Sequence, residues 1–299
     1  MSSTIFTFVR HAESTDNLKQ VWAGWKESPL SNHGMNQAKA LAASFAAEPF
    51  TAILTSPLNR ALSTASAVHE RQAPPRPPLI QNDLLKEQNF GEGEGTSYLP
   101  SKRASVASPQ LASAPSPQRA SVSSAQRASV SSPKEHHSAL RNDDESRFPG
   151  GESRKEVQQR AEQVVEELLL PYAGLDGDRN DTPTKDHTSD GPPTHVLVVS
   201  HGIFIRHLVA CLLKRGTVSR AATERISLHN TGWVRVRVER EDVGRKGRCV
   251  NRHDHLSGLV RQKGGIGSSA YDPRQKDLRS FFAGNKKRPS SSSQKPRRK

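Results

Sequence analysis

Cysteine is almost missing from this 299-residue chain, with Cys211 and Cys249 its whole complement. Two cysteines far apart exclude a disulfide framework and a cysteine-based metal site, and they suit a reducing interior. Aromatic residues make up 5% of the chain and hydrophobic residues 33%, with a mean hydropathy of -0.71. That is too little apolar material for a chain packed throughout, so parts of it are expected to lack a core. No apolar run approaches the roughly 18 residues a membrane span requires. The opening MSSTIFTFVRH has no basic region followed by a long apolar stretch, so no secretory signal is expected. Acidic charge is scarce at one end only. Residues 245–299 hold 16 Lys/Arg against 3 Asp/Glu, whereas residues 1–244 hold 28 against 27. The net charge of +14 is therefore a property of the C-terminal end. Such an end attracts anionic partners through long-range field and counterion release.

What is present alternates between two periodicities. Ile5-Phe6-Thr7-Phe8-Val9, residues 50–56 and residues 195–200 read as buried strands, and 233–239 alternates as a strand. Residues 33–47, 58–71, 152–170 and the stretch from His201 to about Leu213 read as helices. The prolines at 74, 75, 77 and 78 end the second, and Pro171 is expected to end the third. Strands alternating with helices argue for an α/β fold, with a mostly parallel, doubly wound sheet flanked by helices. Three stretches break the pattern and are expected to be disordered: 96–146, 176–193 and 263–299. The domain is thus expected at 1–95 and 147–262. The first insert repeats itself, with KRASVASP at 102–109, QRASVSSA at 118–125 and QRASVSSP at 126–133. Arg two residues before Ser suits a basophilic kinase, which makes Ser105, Ser121 and Ser129 candidate phosphosites.

The chemistry gathers at strand ends. Arg10-His11-Ala12-Glu13 ends the first strand, and Ser200-His201-Gly202 ends the strand at 195–200. In open α/β sheets, sites form outside the carboxyl ends of strands. Arg60, just past strand 50–56, can join them. Two Arg and two His around one point make a cradle for a tetrahedral dianion. A neutral imidazole can attack phosphorus, and a carboxylic acid can protonate the leaving oxygen. Glu87, between Leu84-Leu85 and a Gly-rich turn, is the candidate acid, with Glu92 and Glu94 as alternatives. His253 and His255 are better read as solvated or structural histidines than as a metal pair.

VRHAESTDN (9–17), PLSNHG (29–34), TSPLNRALSTA (55–65), LKEQNFGEGEG (85–95), FPGGES (148–153) and VVSHG (198–202) occur in the order in which they appear in one family. On them the chain resembles the histidine phosphatase superfamily, also called phosphoglycerate mutase-like. The resemblance implies that His11 is the phosphorylated nucleophile. It implies that Arg10, Arg60 and His201 hold the phosphoryl group, with Asn17 and Gly202 as further contacts. It implies that Glu87 is proton donor and then base, with neither metal nor cofactor needed. SHGIFIRHL (200–208), FPGGES and CVNRHDHLSGL (249–259) look most similar to TIGAR-type fructose-2,6-bisphosphatase-like enzymes. A mutase is disfavoured. Gln88-Asn89-Phe90-Gly91 follows the acid where mutases carry a His-Tyr-Gly context, and Ile203 stands where they usually carry Asn. The expected activity is a phosphomonoesterase on a small phosphorylated metabolite. A protein phosphatase and a non-catalytic adaptor are the rivals.

The tail carries a second signal. Gln275, Leu278, Phe281 and Phe282 form Gln-x-x-aliphatic-x-x-aromatic-aromatic, which resembles the peptide that binds the sliding clamp PCNA. Three apolar side chains on one helical turn can plug an apolar pocket, and the flanking Lys/Arg would steer them to an acidic surface. Lys286-Lys287-Arg288 and Lys295-Pro296-Arg297-Arg298-Lys299 read as a bipartite nuclear import signal, so a nuclear location, with a cytoplasmic pool, is expected. Neither sequence-specific nucleic-acid binding nor membrane attachment is expected.

Overall fold

A computed structural model describes residues 3–98, 144–174, 193–214, 226–239 and 247–275. Ser105, Ser121 and Ser129, nearly all of the 176–193 loop, and Leu278, Phe281 and Phe282 lie outside them. In chain order the main elements are β1 (Ser3–Arg10), α1 (Thr15–Lys19), α2 (Asn32–Ser44), β2 (Ala52–Thr55), α3 (Asn59–Arg71), β3 (Leu79–Gln81), α4 (Arg154–Val164), β4 (Thr194–Ser200), α5 (Gly202–Lys214), β5 (Trp233–Glu239) and β6 (Gly247–Arg252). The six strands form one sheet in the order β3-β2-β4-β1-β5-β6. β1, β2, β3 and β4 run parallel, while β5 and β6 are antiparallel additions at one edge. The doubly wound α/β expectation therefore holds.

β1 and β4 are buried along most of their length because helices cover both faces of the sheet. Phe6, Phe8, Val196 and Val198 point to one side and pack with Val157, Ala161, Phe204 and Leu208 of α4 and α5. Val9, Leu197 and Val199 point to the other and pack with Leu41, Ala61, Ala65 and Val68 of α2 and α3. Alternation along two adjacent strands thus builds two cores, one on each face.

Two expectations are corrected. The helix expected to stop before Pro171 begins at Arg154, where Ser153 and Glu156 form a capping box. It then winds through a π turn (Val165–Leu169) into a 3₁₀ turn (Leu170–Ala173) that contains Pro171 in its first turn, where a missing N–H costs nothing. The second correction concerns residues 263–275, expected to belong to the disordered tail. They form a short 3₁₀ turn and lie along the start of α2. Asn32 N donates to Ser269 O (2.9 Å), Tyr271 N to Leu30 O (2.8 Å) and Asn32 Nδ2 to Ile266 O (2.8 Å). Just before this stretch, Arg261 grips both Glu13 oxygens, at 2.9 and 2.5 Å. The segment is polar, so backbone bonds and one ion pair hold it, and hydropathy gave no sign of them. β3, directly after the proline run, and the charged β6 carry no apolar pattern either.

A buried polar group lies under the edge of the sheet. Arg235 Nε donates to Thr7 Oγ1 (3.0 Å), and the same hydroxyl is hydrogen-bonded to His195 Nε2 (2.8 Å). Burial first, and then the Arg235 charge, push the His195 pKa down to about 4, against a partial offset from Glu48. The unfolded chain takes up this proton near pH 6.5 and the native one only near 4, so acidification between those values favours unfolding. The urea midpoint should fall as pH drops through this window. His195→Gln should flatten that dependence, and an unchanged slope would show that His195 is protonated in the native state.

Candidate active site

The pairing of three neighbouring strands brings the site together. Arg10 is opposite Ser200, and Thr55 is opposite Val199, so β1, β4 and β2 end at one level. His11 N donates to Ser200 O (2.9 Å), extending that ladder by one residue. Beyond these ends the rings of His11 and His201 lie 5.1 Å apart, tilted by 58°. Arg60, in the first turn of α3, is 1% exposed beside them. Of the residues expected at the site, Arg10, His11, Arg60, Glu87, His201 and Gly202 converge.

The His11 tautomer is defined, because a carbonyl oxygen can only accept. His11 Nδ1 lies 2.7 Å from Ala12 O, so its proton sits there and Nε2 keeps a free lone pair. His201 Nε2 lies 2.9 Å from Ser56 Oγ, an oxygen that already accepts from Leu58 N. With the Ser56 hydroxyl donating to His201 Nε2, the His201 hydrogen sits on Nδ1, the ring nitrogen that has no partner among the described residues. Burial is the largest cause holding the pKa of both rings well below the usual histidine value, and the Arg60 and Arg10 charges add to it. Both are neutral at physiological pH.

The guanidiniums are aimed by backbone oxygens. Arg60 Nη2 donates to Gly24 O (2.6 Å) and Nη1 to Lys26 O (2.9 Å), and Arg10 Nη1 donates to Leu228 O (2.8 Å). Gly24 sits at φ +51°, and a Cβ there would run into the Glu94 carboxylate, so the carbonyl that grips Arg60 requires glycine. Arg10 Nε, Arg60 Nε and His201 Nδ1 are buried without a hydrogen-bond partner among the described residues. These three nitrogens supply donors suited to a multiply charged oxyanion. A Cβ at Gly202 would lie 3.5 Å from Arg10 Nε, ordinary van der Waals contact, which places the start of α5 beside that guanidinium.

Glu87 sits across the N-terminus of α5. Its Oε1 accepts from Phe204 N (3.0 Å) and Gln88 N (3.1 Å), and its Oε2 from Ile203 N (3.3 Å). Burial lowers the pKa of both Arg10 and Arg60, and the Glu87 charge is the leading offset for each. Of the alternatives, Glu94 Oε1 is engaged by Trp25 N (2.7 Å) and Phe90 N (3.3 Å), and Glu92 is exposed. Asn17 is also tied into the loop. Its Oδ1 accepts from Ser14 N and from Asn230 Nδ2, both at 3.1 Å. His255 Nε2 bonds Thr231 Oγ1 (2.9 Å), and the His229 and His253 rings lie 4.7 Å apart. Among the described residues, no group of three His, Cys, Asp or Glu could hold a metal ion.

Several supports escaped the sequence reading. Thr64 Oγ1 accepts from Ala12 N (3.0 Å) and donates to Arg60 O (2.7 Å), tying the His11 loop to α3. Asn230 Nδ2 donates to His11 O (3.1 Å), and Ser56 orients His201. Ser56 and Thr64 lie inside TSPLNRALSTA, where their spacing from Arg60 was available. Asn230 sits in no pattern.

Residues 6–130 match the family model described as "Histidine phosphatase superfamily (branch 1)". Over those residues the chain is similar to the histidine phosphatase superfamily. A "probable phosphatase" of Schizosaccharomyces pombe is 27% identical over 275 residues, 91% of this chain and 78% of that one. A 2,3-bisphosphoglycerate-dependent phosphoglycerate mutase of Gloeobacter violaceus is 26% identical over 224 residues, 75% of this chain and 81% of that one. Among solved structures, Bacillus stearothermophilus YhfR superposes with a TM-score of 0.59 at 20% identity, covering 85% of this chain and 99% of that one. That likeness carries the phosphoglycerate mutase-like fold. These similarities support an enzyme with phosphatase or mutase-like activity on small phosphorylated metabolites.

Arg60→Lys should weaken binding of inorganic phosphate roughly 10- to 100-fold, the worth of one charge-assisted hydrogen bond. A lysine amine cannot span two carbonyls and an anion at once. Calorimetric titration checks this, and unchanged affinity would show that Arg60 does not meet the anion.

Proposed function

We propose that the protein hydrolyses phosphomonoesters of small metabolites through a phosphohistidine on His11. The observation that carries this reading is the His11 ring, held neutral with its proton on Nδ1 and its Nε2 lone pair free, between buried Arg10, Arg60 and His201. The Nε2 lone pair attacks phosphorus in line with the ester oxygen. As the N–P bond forms and the P–O bond breaks, Glu87 delivers a proton to the departing alkoxide. Arg10, Arg60 and His201 Nδ1–H take the charge growing on the phosphoryl oxygens. Water then attacks the phosphohistidine while Glu87 accepts its proton, which frees phosphate and restores His11. Asn17 acts here by shaping the His11 loop through Asn230.

The favoured substrates are sugar phosphates such as fructose 2,6-bisphosphate, or compounds resembling phosphoglycerate. Support comes from the TIGAR-like segments, from Gln88 and Ile203 at positions where mutases differ, and from a phosphatase among the relatives. Phosphate release from p-nitrophenyl phosphate and from a panel of phosphorylated metabolites tests this. His11→Ala should bring release to background. Glu87→Gln should cut kcat/KM for alkyl phosphates by about 10²- to 10⁴-fold. Activity that survives His11→Ala would end the proposal.

For the C-terminal end we propose a tether to the sliding clamp in the nucleus, with the RASV serines as kinase sites. The support is the Gln275–Phe282 spacing in a strongly basic stretch and the exposure of Gln275 at the close of the described segment. A peptide of residues 270–288 should bind the clamp, and a Phe281→Ala/Phe282→Ala peptide should not. Equal affinity of the two would overturn the tether.

A further inference from the structure

The side chain that engages Glu87's segment most fully comes from α4, a helix that supplies no group to the phosphate cradle. Arg160 uses all five of its N–H groups. Nε and Nη2 clasp the two Glu152 oxygens at 2.9 and 2.8 Å. Nη1 donates to Leu84 O (2.9 Å) and Lys86 O (2.7 Å), and Nη2 also donates to Glu87 O (3.1 Å). Glu152 closes the other end of the same stretch. Its Oε2 accepts from Asn89 N (2.8 Å), its own N donates to Asn89 O (2.8 Å), and its carbonyl accepts from Gln88 Nε2 (2.8 Å). The guanidinium lies 4.5 Å from the centre of the Phe204 ring, and Phe204 N is a donor to the Glu87 carboxylate. One side chain therefore touches both the segment that carries the acid and the helix end that receives it.

Two mostly buried charges would carry a large desolvation penalty if they served only general stability. Here each hydrogen bond ends on residues 84–89 or within the pair itself. We infer that Arg160, locked by Glu152, is a positioning residue for Glu87: it sets the backbone from which the carboxylate reaches the leaving oxygen. The inference rests on the proton-donor role proposed for Glu87. It assigns Arg160 no contact with substrate.

Leaving-group dependence separates positioning from plain structural support. An alkyl phosphate needs its alkoxide protonated as it leaves, whereas p-nitrophenolate departs readily without a proton. kcat/KM reports steps only through formation of the phosphoenzyme, so the shared hydrolysis step does not blur the comparison. In the full-length chain, Arg160→Lys and Glu152→Gln should each lower kcat/KM for glycerol 3-phosphate by about 10²-fold, as a displacement of the acid by about 1 Å would. For p-nitrophenyl phosphate the same variants should stay within about 3-fold of wild type, and Glu87→Gln should show the same selective loss. Circular dichroism establishes that each variant folds, and Glu152→Gln, which keeps the shape, reads the clamp if Arg160→Lys does not fold. Equal losses on both substrates, or no loss on either, would overturn the inference. A Glu87→Gln variant that failed to discriminate between the substrates would instead fault the role given to Glu87 itself.

Discussion

Two guanidiniums removed from water beside two imidazoles set the terms for the rest of this structure. Burial disfavours charge on every one of these groups, and each guanidinium also disfavours a proton on either ring. The rings yield, since histidine gives up its proton far more readily than arginine. The result is a pair of neutral imidazoles facing guanidiniums that remain cationic. The Glu87 charge is the leading offset to both arginine charges, so the protonation of this carboxyl is coupled to the cationic cradle beside it.

Strand register delivers this arrangement. Neighbouring strand ends lie about 5 Å apart, which is the distance between the two histidine rings. β1 and β4 each continue one residue past the sheet, and β2 adds Ser56 on the far side of β4. Apolar runs on both faces of β1 and β4 fix their depth between two helical layers, and the two cores thereby hold the histidines in line. The charged groups are then trimmed by carbonyl oxygens of loops, as with Gly24 and Lys26 for Arg60.

The sequence made the central strands, the helices and six converging site residues legible, because each rests on a local pattern: an apolar run, a helical period, or a charged residue just past a strand. Less of the supporting shell could be read. Asn230 meets His11 across 219 residues, and Arg160 meets Leu84 across 76. Arg160 sits in a charged helix where it looks like one more solvated residue. Its partners are backbone carbonyls, which leave no trace in side-chain pattern. The 263–275 segment was misread for the same reason. Polar backbone pairing along α2 and one ion pair between Arg261 and Glu13 replace the apolar contacts that a hydropathy argument looks for. The basic tail beyond it rests on sequence spacing alone.

The account stands or falls on which atom takes the phosphoryl group. Protein mixed with a phosphomonoester, denatured in alkali during turnover and digested should yield an acid-labile phosphopeptide containing His11. Its ³¹P resonance should be that of a phosphoryl group on Nε2, since Nδ1 is committed to Ala12 O. A phosphoryl group on His201, on Nδ1 of His11, or on no histidine at all would contradict it.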